Sequence, residues 1–428
     1  MEIESLVSEV LATIKPKDEL YKTIDSMAII TKEIYNVALS ISIEHYKESG
    51  KVYNYYSLYS AFRENNLDLY RKLQARTSNG VIKGVATNMI AFAHQVDDFQ
   101  LHPSKYSGEP GLPKPLGKDA RYPIEFTCYQ VYYRDGKIHF PKSTGIPPIK
   151  TRIQFENLNT YDRRDISSPL RLVRIVPKYK EYKIELVYRK VFNIPENNFK
   201  NIAAIDLGID NFATVVVWGN KNARPLIING KGIKSYNKNF NSRIAKMKSN
   251  VMKYNNASTS DAIKRLYDKR NNKYKHFYHE VSKRIVEYLI ENEVKYLIIG
   301  RRQGWKQRPK LGRNINQTFS EIAHYQFILK LEYKAREAGI EVYEVSEEFT
   351  SGTSYIDGET ATKENYERSR RVSRGLFLTN AGIKVNADVN AAYQILNKAC
   401  GYKLKFDPRV MGKSNFIPFV YNSDTFKE

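Results

Sequence analysis

Between residues 18 and 51 the apolar side chains recur at helical spacing. Ile24, Met27, Ala28, Ile34, Tyr35, Ala38 and Ile41 fall on one stripe, the pattern of a helix that buries one face. A second helical stretch, SNGVIKGVATNMIAFAHQVDDF, follows the Tyr-rich KVYNYYSLYSAF. Near residue 101 the pattern breaks into HPSKYSGEPGLPKPLGKDARYP, dense in Pro and Gly and read as loop. From 124 to 191 the period shortens to two. Tyr182, Ile184, Leu186 and Tyr188 alternate with mostly charged neighbours, as in a half-exposed strand. The first 190 or so residues therefore read as a helical insert followed by a β-rich module.

A third texture starts at Asn201. NIAAIDLGIDNFATVVVWGNKNARPLIING predicts three strands in series, at 202–207, 212–218 and 225–228, joined by short turns. Basic helices fill roughly 236–292. A strand at 294–299, a helix from about Thr318 to Ala338, a strand at 340–345 and a last helix around Asp388 complete the series. Gly339 is placed to end its helix in the left-handed conformation. A three-strand meander followed by alternating helices and strands predicts an α/β unit with a mixed sheet, the order found in ribonuclease-H-like nucleases.

Composition sharpens this picture. The 428 residues carry 69 Lys and Arg against 46 Asp and Glu, a net charge of +23 spread along the whole chain. That length favours two or more domains. A distributed excess of this size suits a polyanion, with nucleic acid the obvious candidate. At 42% hydrophobic and 12% aromatic the chain can bury real cores, so it is not read as disordered. Cys128 and Cys400 are the only cysteines, which fits a reducing compartment without a disulfide framework. MEIESLVSEVLATIKPKDEL is acidic and lacks the apolar core of a signal peptide. With no run of about 18 apolar residues, a membrane span is not expected.

Two aspartates carry the candidate chemistry. Asp206 ends an otherwise apolar strand, where a buried charge is costly unless paired or bound to a cation. It either caps the turn at Gly208 or serves such a cation, and Asp210 is better placed for the turn. Asp388 lies in NADVNAAYQILN, at a helix start where Asp is commonly the N-cap. Asn386 could cap instead, freeing Asp388. Two-metal phosphodiester hydrolysis needs several converging carboxylates. Oxygen ligands without a Cys or His cluster point to Mg²⁺ or Mn²⁺ rather than Zn²⁺. His276 and His279 have no partner at metal-binding spacing and read as packing or phosphate-facing residues.

In this order, AIDLGIDNFATV, IIGRRQGWKQ, EEFTSGTSYIDGE, RRVSRGLF and NADVNAAYQI resemble the TnpB family. Its members are RNA-guided nucleases of small insertion-sequence elements, similar to type V CRISPR effectors and to the eukaryotic Fanzor proteins. The resemblance covers nearly the whole chain. It implies a split RuvC (ribonuclease-H-like) nuclease domain and an N-terminal wedge-like β-barrel carrying a helical recognition insert. By that resemblance, residues 1–17 and 106–195 would form the wedge and 18–105 the recognition lobe. Residues 196–349 would hold the first two RuvC motifs, and 381–428 the third motif and tail. The implied partners are a guide RNA transcribed from the element end and double-stranded target DNA next to a short motif. The implied location is cytoplasmic, or nuclear in a eukaryotic relative.

Asp206 matches the family's first RuvC aspartate and Asp388 the third. The family's middle acid usually ends the strand that here ends in Gly300. In one subgroup, with Gly there and Gly-Trp-Lys-Gln after it, a relocated glutamate precedes the Thr-Ser pair. The matching residue is Glu347, with Glu344 and Glu348 next in line. The strand bearing Glu347 is expected beside the one ending at Gly300, about 4.8 Å away, and Gly300 is expected to leave room for it. Many relatives also carry a four-cysteine zinc ribbon before the last motif. Residues 350–386 have neither Cys nor His, so no structural zinc is expected, and 350–380 is a basic loop. Arg368, Arg370, Arg371 and Arg374 there, and Arg301, Arg302, Trp305 and Lys306 earlier, are candidate nucleic-acid contacts. The bases of 231–256 and 264–277 are candidates for the backbone of an RNA–DNA hybrid.

The reading is an RNA-guided DNA endonuclease with metals on Asp206, Glu347 and Asp388. Its rivals are a nuclease-inactive RNA-guided repressor, which predicts lost acids, and an RNA-binding accessory factor for transposition.

Overall fold

The computed structural model describes residues 2–106, 108–153, 169–193, 198–257, 259–301, 324–373 and 375–426. The chain divides into two compact units, one of residues 3–192 and one of essentially residues 193–428.

In the first unit, α1 (Leu20–Ser49) follows the long strand β1 (Glu2–Ile14). Its predicted stripe is the buried one, and Gly50 ends it at φ 67°. The Tyr-rich segment is itself a helix, α2 (Tyr55–Arg71), because Asn54 caps it by accepting from the Ser57 amide at 3.0 Å. With α3 (Ala75–Leu101), α1 and α2 bury a helical core around Ile34, Leu39, Phe62, Ile82 and Met89. Strands β2 (Ile124–Thr127), β6 (Leu170–Lys178) and β7 (Glu181–Asn193) join β1 in a sheet of order β1-β7-β6-β2. Short strands β3 (Tyr132–Arg134), β4 (Lys137–His139) and β5 (Ile149–Lys150) form a separate meander. Among the described residues these pairings leave an open sheet and do not close the expected barrel.

The second unit is a six-stranded mixed sheet with helices on both faces. Strands β8 (Asn201–Leu207), β9 (Asn211–Trp218) and β10 (Leu226–Asn229) run antiparallel in series. Helices α4 (Lys231–Asn255) and α5 (Asp261–Glu291) lead to β11 (Val294–Arg301), which lies parallel to β8. Helix α6 (His324–Glu337) then leads to β12 (Glu341–Ser346), parallel to β11. Gly339 joins these last two at φ 75°. A hairpin of β13 (Leu376–Leu378) and β14 (Lys384–Asn386) precedes α7 (Ala387–Ala399). The short strand β15 (Phe419–Tyr421), which no local period announced, adds in parallel to β10. The order is β12-β11-β8-β9-β10-β15, a ribonuclease-H-like arrangement.

Alternation assigns the two faces. Ala203, Ile205, Leu297 and Ile299 pack with α5 and α6 around Phe277, Tyr278 and Phe327. Ala204, Val216 and Ile298 pack with Val389, Ala392, Tyr393 and Ile395 of α7. Asp206 and Gly300, two residues on from Ala204 and Ile298, therefore share the face that α7 covers.

Candidate active site

Three acids reach one edge of that face from three elements. Asp206 is near the C-terminal end of β8, opposite Thr214 of β9. On the other side of β8, Ile205 pairs with Ile299, and on the far side of β11 Gly300 pairs with Val345 of β12. Val345 packs into the α7-side core, and Glu347 follows it by two residues. The Glu347 amide donates to the Arg301 carbonyl at 3.3 Å, which holds the chain beside β11 after β12 has ended. Phe349 then turns the chain at φ 68°, an unfavourable conformation for a bulky residue. Asp388 lies in the first turn of α7. Asn386 is the N-cap, accepting from the Asp388 and Val389 amides at 3.0 and 3.1 Å. The Asp388 carboxylate is thereby left to other partners. Asn211 Nδ2 donates to its Oδ2 at 2.7 Å, and Arg371 donates to its Oδ1 at 3.0 Å.

The acids feel one another. Burial, then Glu347, then Asp388 push the Asp206 carboxyl well above the usual carboxylate range, against the pull of Arg371. Like charges gathered where water is scarce produce this shift, and a cation relieves it. Among the described residues, no three His, Cys, Asp or Glu side chains are close enough together to hold one ion. Arg371 supplies positive charge at Asp388. The donors on offer at this edge are carboxylate oxygens, the kind that suits Mg²⁺ or Mn²⁺. In donor chemistry the residues fit a hard divalent cation.

Position 300 has no space for a side chain of its own. A Cβ built on it would lie 2.5 Å from Ile395 Cδ1 and 3.2 Å from the Ile205 carbonyl oxygen. The volume that an acid's stem would fill at this strand end is taken by α7. Glu344 pairs with Arg301; alternation puts both on the α6 side of the sheet, away from Asp206. Glu348 is exposed. Asp210 pairs with Lys234 at 2.6 Å, and its carbonyl accepts from the Gly230 amide, which ties the turn to the start of α4.

The candidate nucleic-acid contacts separate. Arg368 is exposed. Arg301 is ion-paired and lies over the Tyr325 ring at 5.5 Å. Arg370 corrects the expectation of a phosphate contact: it is 8% exposed and pairs inside the protein with Asp357 and Glu359. Arg302, Trp305, Lys306 and Arg374 lie outside the described residues. Helix α4 buries Phe240 and Ile244 against Ile263 of α5 and leaves Lys238, Arg243, Lys246 and Lys248 exposed. His276 bonds Thr425 at 2.7 Å, and His279 is half-buried among lysines. Asn211 was missed by sequence reading. Its only signal was its place three residues after the turn glycine Gly208, at the start of β9.

In this α/β unit Asp206 lies near the end of β8 and Glu347 just past the end of β12. A family model described as a probable transposase, OrfB_IS605, matches residues 181–306, and a Cas12f1-like TNB domain model matches 324–395. The TnpB-like protein ORF457 of Acidianus two-tailed virus is 27% identical over 221 residues, 50% of this chain and 45% of the viral protein. The alignment thus spans about half of either protein. A structure titled as a Cas12f1–sgRNA–target DNA complex aligns with 93% of this chain and 100% of that chain at TM-score 0.37 and 15% identity. One titled CasPhi-2 (Cas12j) bound to crRNA aligns with 95% and 99% at TM-score 0.35 and 11% identity. By these matches the chain is similar to TnpB-like and Cas12f1-like proteins. Among the described residues no helix is long and apolar enough to cross a membrane.

Proposed function

We propose that the protein is an RNA-guided DNA endonuclease whose RuvC-like centre is Asp206, Glu347 and Asp388. The observation that carries this reading is the approach of three acids from β8, the chain just past β12 and the first turn of α7, with the Asp206 carboxyl raised by burial and then by Glu347 and Asp388. The subgroup with Gly at the second motif and its glutamate on the next strand accounts for Gly300 and Glu347. Divalent cations, when bound, would activate water and stabilise the charge of an in-line phosphodiester displacement. Asp206 and Glu347 would hold them from the sheet, and Asp388 from the α7 N-terminus, with Asn211 orienting the Asp388 carboxylate. The exposed bases of α4 and Arg368 would meet nucleic-acid backbone, whose contacts are read through charge and shape while base pairing supplies sequence. A guide RNA copied from the element end and a short motif beside the target complete the proposal.

The test is to copurify the bound RNA, sequence it, and incubate the complex with plasmids bearing or lacking the matching target. Mg²⁺-dependent cutting of the matched plasmid alone is expected. Guide-dependent binding without cutting at any Mg²⁺ or Mn²⁺ concentration would overturn it in favour of the inactive repressor. No bound RNA would favour neither and refute the guided reading.

A further inference from the structure

Arg370 spends its guanidinium inside the protein. Nη1 donates to both Glu359 carboxylate oxygens at 2.7 and 2.8 Å, Nη2 to Asp357 Oδ2 at 2.7 Å, and Nε to the Leu378 carbonyl at 3.0 Å. The group also lies over the Phe377 ring at 4.8 Å. Its two acids are fixed in turn. The Asn380 amide bonds Asp357, the Ser354 amide bonds Glu359, and Gln394 of α7 bonds the Glu359 carbonyl. One cation thus ties the segment between β12 and β13 to the hairpin and, through Glu359, to α7.

Apolar residues would hold such a core as well as a buried ion-pair knot does, so the knot is weak evidence for stability as such. What it does fix is direction. Arg370 ends a 3₁₀ turn (Arg368–Arg370), and the Arg371 amide closes that turn on the Arg368 carbonyl at 3.1 Å. The next side chain, Arg371, is 36% exposed and reaches Asp388 Oδ1 at 3.0 Å. A long side chain on a loose segment loses most of such a contact to entropy. Anchoring the residue before it removes much of that cost.

We propose that Arg370, through its knot with Asp357 and Glu359, is a positioning residue that holds Arg371 on Asp388 as a built-in counter-ion. A divalent cation then binds the acid cluster in competition with Arg371. The knot keeps the acids compensated until metal and substrate arrive. This inference rests on the metal-dependent reading proposed above.

The test titrates RNA-free full-length protein with Mn²⁺ by calorimetry, with Asp206→Asn as the blank. Arg371→Gln should tighten Mn²⁺ binding about fivefold, the scale of a half-exposed ion pair. Arg370→Gln should tighten it in the same direction, and the double variant should bind no more tightly than Arg371→Gln alone, because both act on one contact. Asp357→Asn and Glu359→Gln loosen the knot from its other side and should shift affinity the same way. They carry the comparison if circular dichroism shows Arg370→Gln unfolded. Equal shifts from Arg370→Gln with and without Arg371, or no shift beside a clear Arg371→Gln effect, would overturn this inference alone. A wild-type protein that binds no more Mn²⁺ than the blank would overturn the metal centre and this inference with it.

Discussion

Gly300→Ala adds one methyl group at the point where β11 passes under α7. The added carbon would start 2.5 Å from Ile395 Cδ1, with Ile395 Cγ1 and the Ile205 carbonyl oxygen both at 3.2 Å. Carbon pairs rest at about 3.5–4.0 Å, so the first contact is roughly 1 Å too short. Ile395 is fully buried beside Ala204, Val216, Ile298, Ala392 and Leu396, which leaves it little freedom to turn aside. Overpacking of this kind costs about 1–3 kcal/mol. At roughly 2–4 °C per kcal/mol for a domain of this size, the melting temperature should fall by about 2–12 °C. Ile395→Val deletes Cδ1, the closest atom, and alone costs about 0.5–1.5 kcal/mol. Combined with Gly300→Ala it should recover most of the loss, a favourable coupling of about 1–2 kcal/mol. Scanning calorimetry of the four proteins reads the cycle. If Gly300→Ala melts like wild type, or Ile395→Val adds its own cost in full on top, the close approach of α7 is not what keeps a side chain out of position 300.

Glu347→Ala should abolish Mg²⁺-dependent cleavage while guide-dependent DNA binding, read by filter retention, stays within about twofold; normal cutting would remove Glu347 from the centre. Asn211→Ala removes the 2.7 Å bond to Asp388 and should lower the cleavage rate about 10- to 100-fold, the usual effect of losing a group that orients a metal ligand. Burial and then Lys330, Lys334, Lys275 and His276 hold the His279 pKa down at about 4, against 6.5 unfolded. Between those values the unfolded chain binds the extra proton. Stability should therefore fall as pH drops from about 6.5 towards 4 and level off below. His279→Gln should flatten that slope in urea-unfolding midpoints, and an unchanged slope would assign it to other groups.

What the chain's own pattern determined is the set of locally encoded elements and the acids they carry. The stripe from Ile24 to Ala38 buries one face of α1 because side chains three and four apart meet on one side of a helix. The apolar run ending in Asp206 is a central strand because covered on both faces it has no polar positions to show. Asn386 before Asp388 marked a cap whose small side chain reaches two amides, and the structure has that cap. The Glu347 expectation came from the resemblance to the TnpB family and not from any local period. Tertiary structure decided what depends on partners distant in sequence. β15 is a strand because β10 offers it an edge nearly two hundred residues away, and three residues have no period of their own. Arg370 looked like its solvent-facing neighbours until Asp357 and Glu359 closed around it, since the burial of a cation is set by the acids it meets. Gly300 was legible as a missing side chain. That α7 fills the place, through a single methyl of Ile395, follows only from the packing of helix on sheet.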